Sequence, residues 1–149
     1  MYAGNIINND IVPSPTTRHS IDPATGSALY EVPVARQEDV DAAVQAARRA
    51  LKSWSTTPCS GHAKLLLKYA DLLEENRDEM ERLLTLEQGR PLSLSSTEVT
   101  CALVWLRAFA TMEIEDEVLQ DDDEKTIYST HPPIGVCAGI VSELVSNCS

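Results

Sequence analysis

The run from Ile134 to Val141 constrains this chain more than any other stretch. Its residues, Ile134, Gly135, Val136, Cys137, Ala138, Gly139, Ile140 and Val141, are nearly all apolar. A short apolar run without polar alternation suits a strand buried on both faces, and such strands belong to parallel sheets with helices outside. Only residues 142–149 follow it. The strand therefore has no complete sheet to join, and the expected class is α/β with an incomplete parallel sheet.

The helices sharpen this point. Val40, Ala43, Val44, Ala47, Leu51 and Trp54 recur at helical spacing, predicting a helix over 38–54. Glu38, Asp39 and Asp41 open it and Arg48, Arg49 and Lys52 close it, which complements the macrodipole. A second helical stretch spans about 63–88, bent near Asn76. It carries Leu66, Tyr69, Ala70 and Leu73, then Met80, Leu83, Leu84 and Glu87. Gly89 and Pro91 stop it. A third helix covers 96–113, with Ser95 and Glu98 at capping-box spacing. It has two apolar stripes. One is Val99, Leu103, Leu106 and Ala110; the other is Cys101, Trp105, Ala108 and Met112. A helix apolar on two faces must be covered on both. Two preceding helices do not suffice, so a layer is expected to be missing.

Residues 1–35 read as short strands and turns. Ile6, Ile7, Ile11 and Val12 flank an Asn8-Asn9-Asp10 turn cluster, and Asp22-Pro23-Ala24-Thr25-Gly26 signals a second turn. Leu29 to Val34 suits an extended segment, with Pro33 at an edge or exit. Lys125 to Thr130 alternates as a strand.

With 149 residues the chain can form one ordinary domain. The 43% apolar share argues against disorder. A net charge of −11 (12 bases against 23 acids) argues against nucleic acid, whose binding needs Lys and Arg on phosphates. Eight of the acids lie between Glu113 and Glu124 and read as a solvated helix end and loop. The Asp triplet lacks the spaced ligands and turn Gly of a calcium loop, so no metal site is assigned. No apolar run approaches the ~20 residues of a membrane helix. Met1 to Asp10 lacks the basic start and apolar core of a signal peptide. The cytoplasm is the expected compartment, with thiols reduced.

Chemistry-bearing constellations are scarce. His19, His62 and His131 are widely spread, and none pairs recognisably with a cysteine. Cys101 and Cys137 sit in apolar surroundings that predict inert packing, while Cys59 stands beside a helix start. There is no phosphate loop. Gly135 and Gly139 are four apart, with no glycine between and no helix pattern after them. No catalytic residue is assigned.

Several segments, taken in order, resemble the start of an aldehyde dehydrogenase. They are Asp22-Pro23-Ala24-Thr25-Gly26, Glu31-Val32-Pro33-Val34-Ala35, Glu38 to Val44, Thr85-Leu86-Glu87-Gln88-Gly89-Arg90-Pro91, Pro133-Ile134-Gly135-Val136 and Gly139-Ile140-Val141. The similarity covers about 20–141. It implies a helical N-terminal part of a dinucleotide-binding domain over 36–141, short strands and turns over 1–35, and a divergent tail over 142–149. It also implies a family that oxidises aldehydes to acids with NAD or NADP, using a catalytic Cys and a Glu base. Lys125 to Thr130 would begin the family's assembly arm, so a homo-oligomer or association with full-length relatives is expected. The backbone at Ile140 and Val141 matches positions that flank the cofactor. Arg36 sits where the family often has a helix-capping Ser.

The departures point to a partial chain. After Val141 the family continues Pro-Trp-Asn-Phe-Pro, whose Asn donates to the oxyanion, whereas this chain reads Ser142-Glu143-Leu144-Val145-Ser146. No cysteine here matches the family nucleophile. The expectation is a truncated dehydrogenase that binds no cofactor and turns over no aldehyde alone. The alternative is a non-catalytic interaction protein that binds a full-length relative through its uncovered apolar faces.

Overall fold

The computed structural model describes residues 4–113 and 115–140. It is α/β: three antiparallel strand pairs and four helices, with sheets that are small and incomplete. Strands β1 (Gly4–Ile7) and β2 (Asp10–Pro13) face each other across the two-residue turn Asn8-Asn9. Both asparagines have positive φ, 55° and 66°. That is the mark of the turn whose twist suits a hairpin, and Asn tolerates it better than most residues. Strands β3 (Thr17–Ile21) and β4 (Ala28–Pro33) form the second pair. Their turn is organised by Asp22, whose carboxylate accepts from the Ala24 amide at 2.8 Å and the Thr25 hydroxyl at 3.0 Å. Gly26 supplies the φ of 70° that closes it.

Helix α1 (Gln37–Trp54) starts with Arg36 at its N-cap. An arginine has no side-chain acceptor to give the first turn. Asp39 instead makes the returning half of a capping box, accepting from the Arg36 amide at 2.9 Å while the guanidinium Nε lies 3.4 Å from the same oxygen.

The expected bend near Asn76 is a break between α2 (Cys59–Glu75) and α3 (Arg77–Gln88). The Asn76 side-chain amide donates to the Leu72 carbonyl at 2.8 Å, satisfying an end group of α2. Helix α2 begins four residues before the expected Ala63, because Pro58 at its N-cap presets an extended entry and Cys59-Ser60-Gly61-His62 continue as helix. Gly89 takes the left-handed conformation at φ 65° and closes α3 through its amide to the Thr85 carbonyl, 2.9 Å.

Helix α4 (Leu92–Ala110) corrects the expected start at Ser96 and end at Glu113. Pro91 is the N-cap, so Ser95 is inside the first turns rather than capping them. Ser95 is fully buried, and its hydroxyl is bonded to that of Thr85 at 2.9 Å. Glu98 is ion-paired with Arg90 instead of completing a capping box.

The acidic stretch is also corrected. Its first acids follow the helix, but Glu117 to Asp121 form strand β5, paired with β6 (Thr126–Ser129). Val118 lies opposite Tyr128, and cross-strand pairing of such side chains outweighs the solvated character of the flanking acids. Asp122 holds the connecting loop by accepting from the Glu124 and Lys125 amides at 2.9 and 3.0 Å.

The core is small. Ala70, Val99 and Leu103 are buried, with Leu73, Leu84 and Leu106 packed around them, where α2, α3 and α4 meet. The first stripe of α4 thus has its partner. The second is only partly covered: Cys101 and Ala108 are half-buried, whereas Trp105 is 56% exposed and Met112 is also exposed. On α1, Val40, Ala47 and Trp54 are exposed too.

The expected strand at 134–141 is not formed over its described part, 134–140. Ile134 and Ile140 are 92% and 95% exposed, and Cys137 is exposed rather than packed. A strand exists only as part of a ladder, and the described residues offer this segment no neighbour. Val141 lies outside the described residues.

Candidate functional site

The sequence placed a cofactor edge at Ile140 and Val141. Ile140 projects almost wholly into solvent. Dinucleotide binding needs a tight glycine turn leading into a helix N-terminus, with backbone amides aimed at phosphate. Here Gly135 has a φ of 106°, but neither it nor Gly139 would bring a Cβ within 4 Å of anything. No close approach is being preserved, and no helix follows in the described residues. Among the described residues the segment 134–140 forms no glycine turn leading into a helix.

The segment 135–137 shares a groove with one element. Gly135, Val136 and Cys137 on one side and Ala47, Ala50, Leu51 and Trp54 of α1 on the other bound an open groove of about 260 Å³. A second groove, about 580 Å³, runs between β4 and α3, with Tyr30, Val32, Met80 and Leu83 as its apolar lining and Glu79 and Arg82 at its rim. Neither contains a nucleophile with a base beside it.

Two of the three histidines, His19 and His62, have structural partners. His19 faces Glu31 across the β3–β4 pair at 3.6 Å. The His62 ring packs tilted against Trp54, centroids 4.2 Å apart and planes 33° to each other, with its Nε2 3.3 Å from the Trp54 carbonyl at the end of α1. Cys59 and Cys137 are exposed and Cys101 is half-buried. Among the described residues no three His, Cys, Asp or Glu side chains gather as metal ligands would.

Charged groups do gather where α2, α3 and α4 meet. Arg77 donates from Nε to Glu74 at 2.9 Å, and from Nη1 to Glu81 at 3.3 Å and the Thr100 hydroxyl at 3.0 Å. Arg107 reaches Asp71 and Glu74, each at 3.7 Å. The Arg77 hydrogen bond, more than charge alone, holds the Glu74 carboxyl below its ordinary range. Asp39 is likewise depressed, chiefly by the Arg36 amide. These shifts arise from helix-joining contacts. The Thr85–Pro91 segment works the same way: Thr85 bonds Ser95, Gly89 closes α3, Arg90 pairs with Glu98 and Pro91 opens α4. A Cβ on Gly89 would fall 2.7 Å from the Pro23 ring, so this connector also seats the Asp22–Gly26 turn. The 36/39 spacing of the α1 cap was a readable signal; the Thr85–Ser95 contact, between two helices, had none.

Known proteins match this arrangement over nearly its whole length. The sequence model of the aldehyde dehydrogenase family matches residues 11–142. Aldehyde dehydrogenase LUC3 of Fusarium sp is 38% identical over 136 residues, 91% of this chain and 29% of that protein. The mouse mitochondrial methylmalonate-semialdehyde/malonate-semialdehyde dehydrogenase is 35% identical, covering 80% of this chain and 23% of its own length. Among solved structures, an aldehyde dehydrogenase of Bacillus cereus superimposes with a TM-score of 0.83 at 30% identity, over 90% of this chain and 29% of that one. A NAD-dependent benzaldehyde dehydrogenase of Corynebacterium glutamicum gives 0.74 at 26% identity, over 83% of this chain and 28% of its own. The chain thus spans less than a third of the relatives it matches. With the family's sequence pattern and its local architecture both present, the chain belongs to the aldehyde dehydrogenase family.

Proposed function

We propose that this chain is the N-terminal portion of a NAD- or NADP-dependent aldehyde dehydrogenase, which oxidises an aldehyde to a carboxylic acid, and that it is not catalytically competent alone. One observation carries the reading. The family match runs almost the length of the chain yet reaches only 29% of such relatives. The apolar faces left open on α1 and α4 are what a fold interrupted at that fraction would leave. Relatives described as NAD-dependent and as NADP-dependent both superimpose on it, which supports the cofactor class.

In this reading residues 1–35 are N-terminal strands and turns, 36–141 the helical front of the cofactor domain, and 142–149 a divergent tail. The backbone at Ile140 and Val141 flanks the dinucleotide once neighbouring strands are in place. The β5–β6 hairpin begins an assembly arm. The cytoplasm is the compartment; no helix among the described residues is long and apolar enough to cross a membrane.

The test is turnover. Purified chain, given NAD or NADP and a panel of aliphatic and aromatic aldehydes, is expected to give no reduced cofactor and no saturable cofactor binding. Aldehyde-dependent reduction by this chain alone would overturn the reading.

The exposed Trp105 and Phe109 pair on α4, ring centroids 5.7 Å apart, favours a second reading. Here the chain binds a full-length relative and does no chemistry. Co-purification with a full-length dehydrogenase, lost in Trp105→Glu, would support it; no co-purification would count against it.

A further inference from the structure

The segment 134–140 reads almost the same in both directions. It runs Ile134, Gly135, Val136, Cys137, Ala138, Gly139, Ile140, with Cys137 at the centre. Only Val136 and Ala138 break the symmetry, and both are apolar. No Asp, Glu, Lys or Arg lies between Lys125 and Glu143. The described residues give the segment no ladder neighbour. Ile134 and Ile140 are nearly bare, and Cys137 is exposed. Unpaired backbone that carries apolar side chains and no charge is a template for another strand.

The near-palindrome decides which strand. Two copies laid antiparallel about Cys137 set Ile134 against the partner's Ile140, Gly135 against the partner's Gly139, Val136 against the partner's Ala138, and Cys137 against the partner's Cys137. No charge meets a like charge. Alternate residues point the same way along a strand, so Ile134, Val136, Ala138 and Ile140 of both copies share one apolar face. A two-fold contact of this kind is self-complementary and closed. A parallel pair would be slightly less stable per residue.

Pro133 selects the edge. A ladder bonded through the odd positions would run into Pro133, which has no N–H to donate. Residues 134, 136, 138 and 140 all have one. Bonding through them leaves Cys137 in a non-hydrogen-bonded pair, where facing Cα atoms come within about 4.5 Å. That separation lies inside the range of roughly 4.4–6.8 Å that a disulfide spans. Gly135 has to leave its φ of 106°, and without a Cβ it does so at little steric cost.

We infer that this chain self-associates through residues 134–140, a second copy adding its own segment antiparallel across a two-fold axis at Cys137. With thiols reduced the contact is non-covalent. It lies outside the β5–β6 hairpin, and it goes beyond the dehydrogenase reading without resting on it.

The test has two arms, both on the purified 149-residue chain. In the first, sedimentation under reducing conditions is followed by treatment with oxidised glutathione. One Cys137 thiolate displaces a glutathione, and the partner's Cys137 thiolate displaces the other, so each bridge consumes one oxidised glutathione and releases two thiols. The expected result is a dimer before oxidation and a Cys137–Cys137 bridge, found by peptide mass, after it. The second arm fixes the register. Ile134→Lys/Ile140→Glu sets opposite charges against each other twice in the antiparallel pair, whereas Ile134→Lys/Ile140→Lys sets like charges there. Both side chains project into solvent in the single chain, so its fold is unaffected. The like-charged variant should associate roughly tenfold or more weakly than the opposite-charged one. In a parallel pair both variants would set like charges together. The inference is overturned if the original chain is monomeric throughout, if the bridges form at the other cysteines instead, or if the two charged variants associate equally.

Discussion

The helices from Cys59 to Ala110 and the segment from Ile134 to Ile140 are both rich in apolar residues, but they meet different fates. In the first, Leu103 is 2% exposed and packs with Ala70 and Val99. In the second, Ile140 is nearly bare. The difference is one of partners. A helix satisfies its own backbone and needs only a neighbouring face, which α2 and α3 provide for one side of α4. A strand needs neighbours for both its backbone and its side chains. Apolar pattern therefore reports what a segment requires, and the structure reports whether this length of chain supplies it.

If that contrast is right, the largest single loss of stability should come from the packed region. Leu103→Ala should cost about 2–5 kcal/mol in denaturant unfolding, because it empties the centre of a small core. Trp105→Ala, two residues away on the uncovered face, should cost under about 0.5 kcal/mol despite removing more atoms. Equal losses would erase the distinction between the two faces. Leu66→Ala and Leu83→Ala fall between these, since both leucines are half-buried.

The connector comes next. Ser95→Ala removes a fully buried hydroxyl and leaves the half-buried Thr85 hydroxyl without it, and should cost about 1 kcal/mol. Gly89→Ala forces a Cβ into a left-handed conformation and against the Pro23 ring, so about 1–2 kcal/mol is expected, with faster proteolysis of the Asp22–Gly26 turn. A change at Gly89 without effect on that turn would break the link between the two segments.

The smallest effect is electrostatic. The folded state holds the Asp39 carboxyl below its unfolded value, first through the Arg36 amide and then the guanidinium. The unfolded chain therefore binds the proton more readily. The stabilisation is fully present above the ordinary aspartate pKa of about 3.9 and is lost as pH falls through the depressed folded value. Asp39→Asn should flatten this acid-side dependence of α1, read by its amide exchange; an unchanged pH profile would exclude the cap as its source.

How much of this was legible in sequence varies by element. The α1 boundaries followed from Glu38 and Trp54, and the Gly89–Pro91 stop was plain, because these signals are local. Ser95 misled: its spacing to Glu98 imitates a cap, but Pro91 had already opened the helix, and a buried hydroxyl partner ten residues back decided its role. Strand β5 was hidden by its acids, since pairing with β6 depends on residues across a turn. The exposure of Trp105 and Met112 on α4 agrees with the second stripe read in its sequence. The candidate site was not, because a cofactor edge at Ile140 takes its meaning from strands that the described residues do not contain.

The most direct measurement is the intact mass of the native product, captured from lysate with an antibody raised against the α1 helix, Gln37–Trp54. A species several-fold heavier than 16.3 kDa is predicted, with this sequence at its front. A stable product of 16.3 kDa alone would contradict the account and turn attention from catalysis to binding partners.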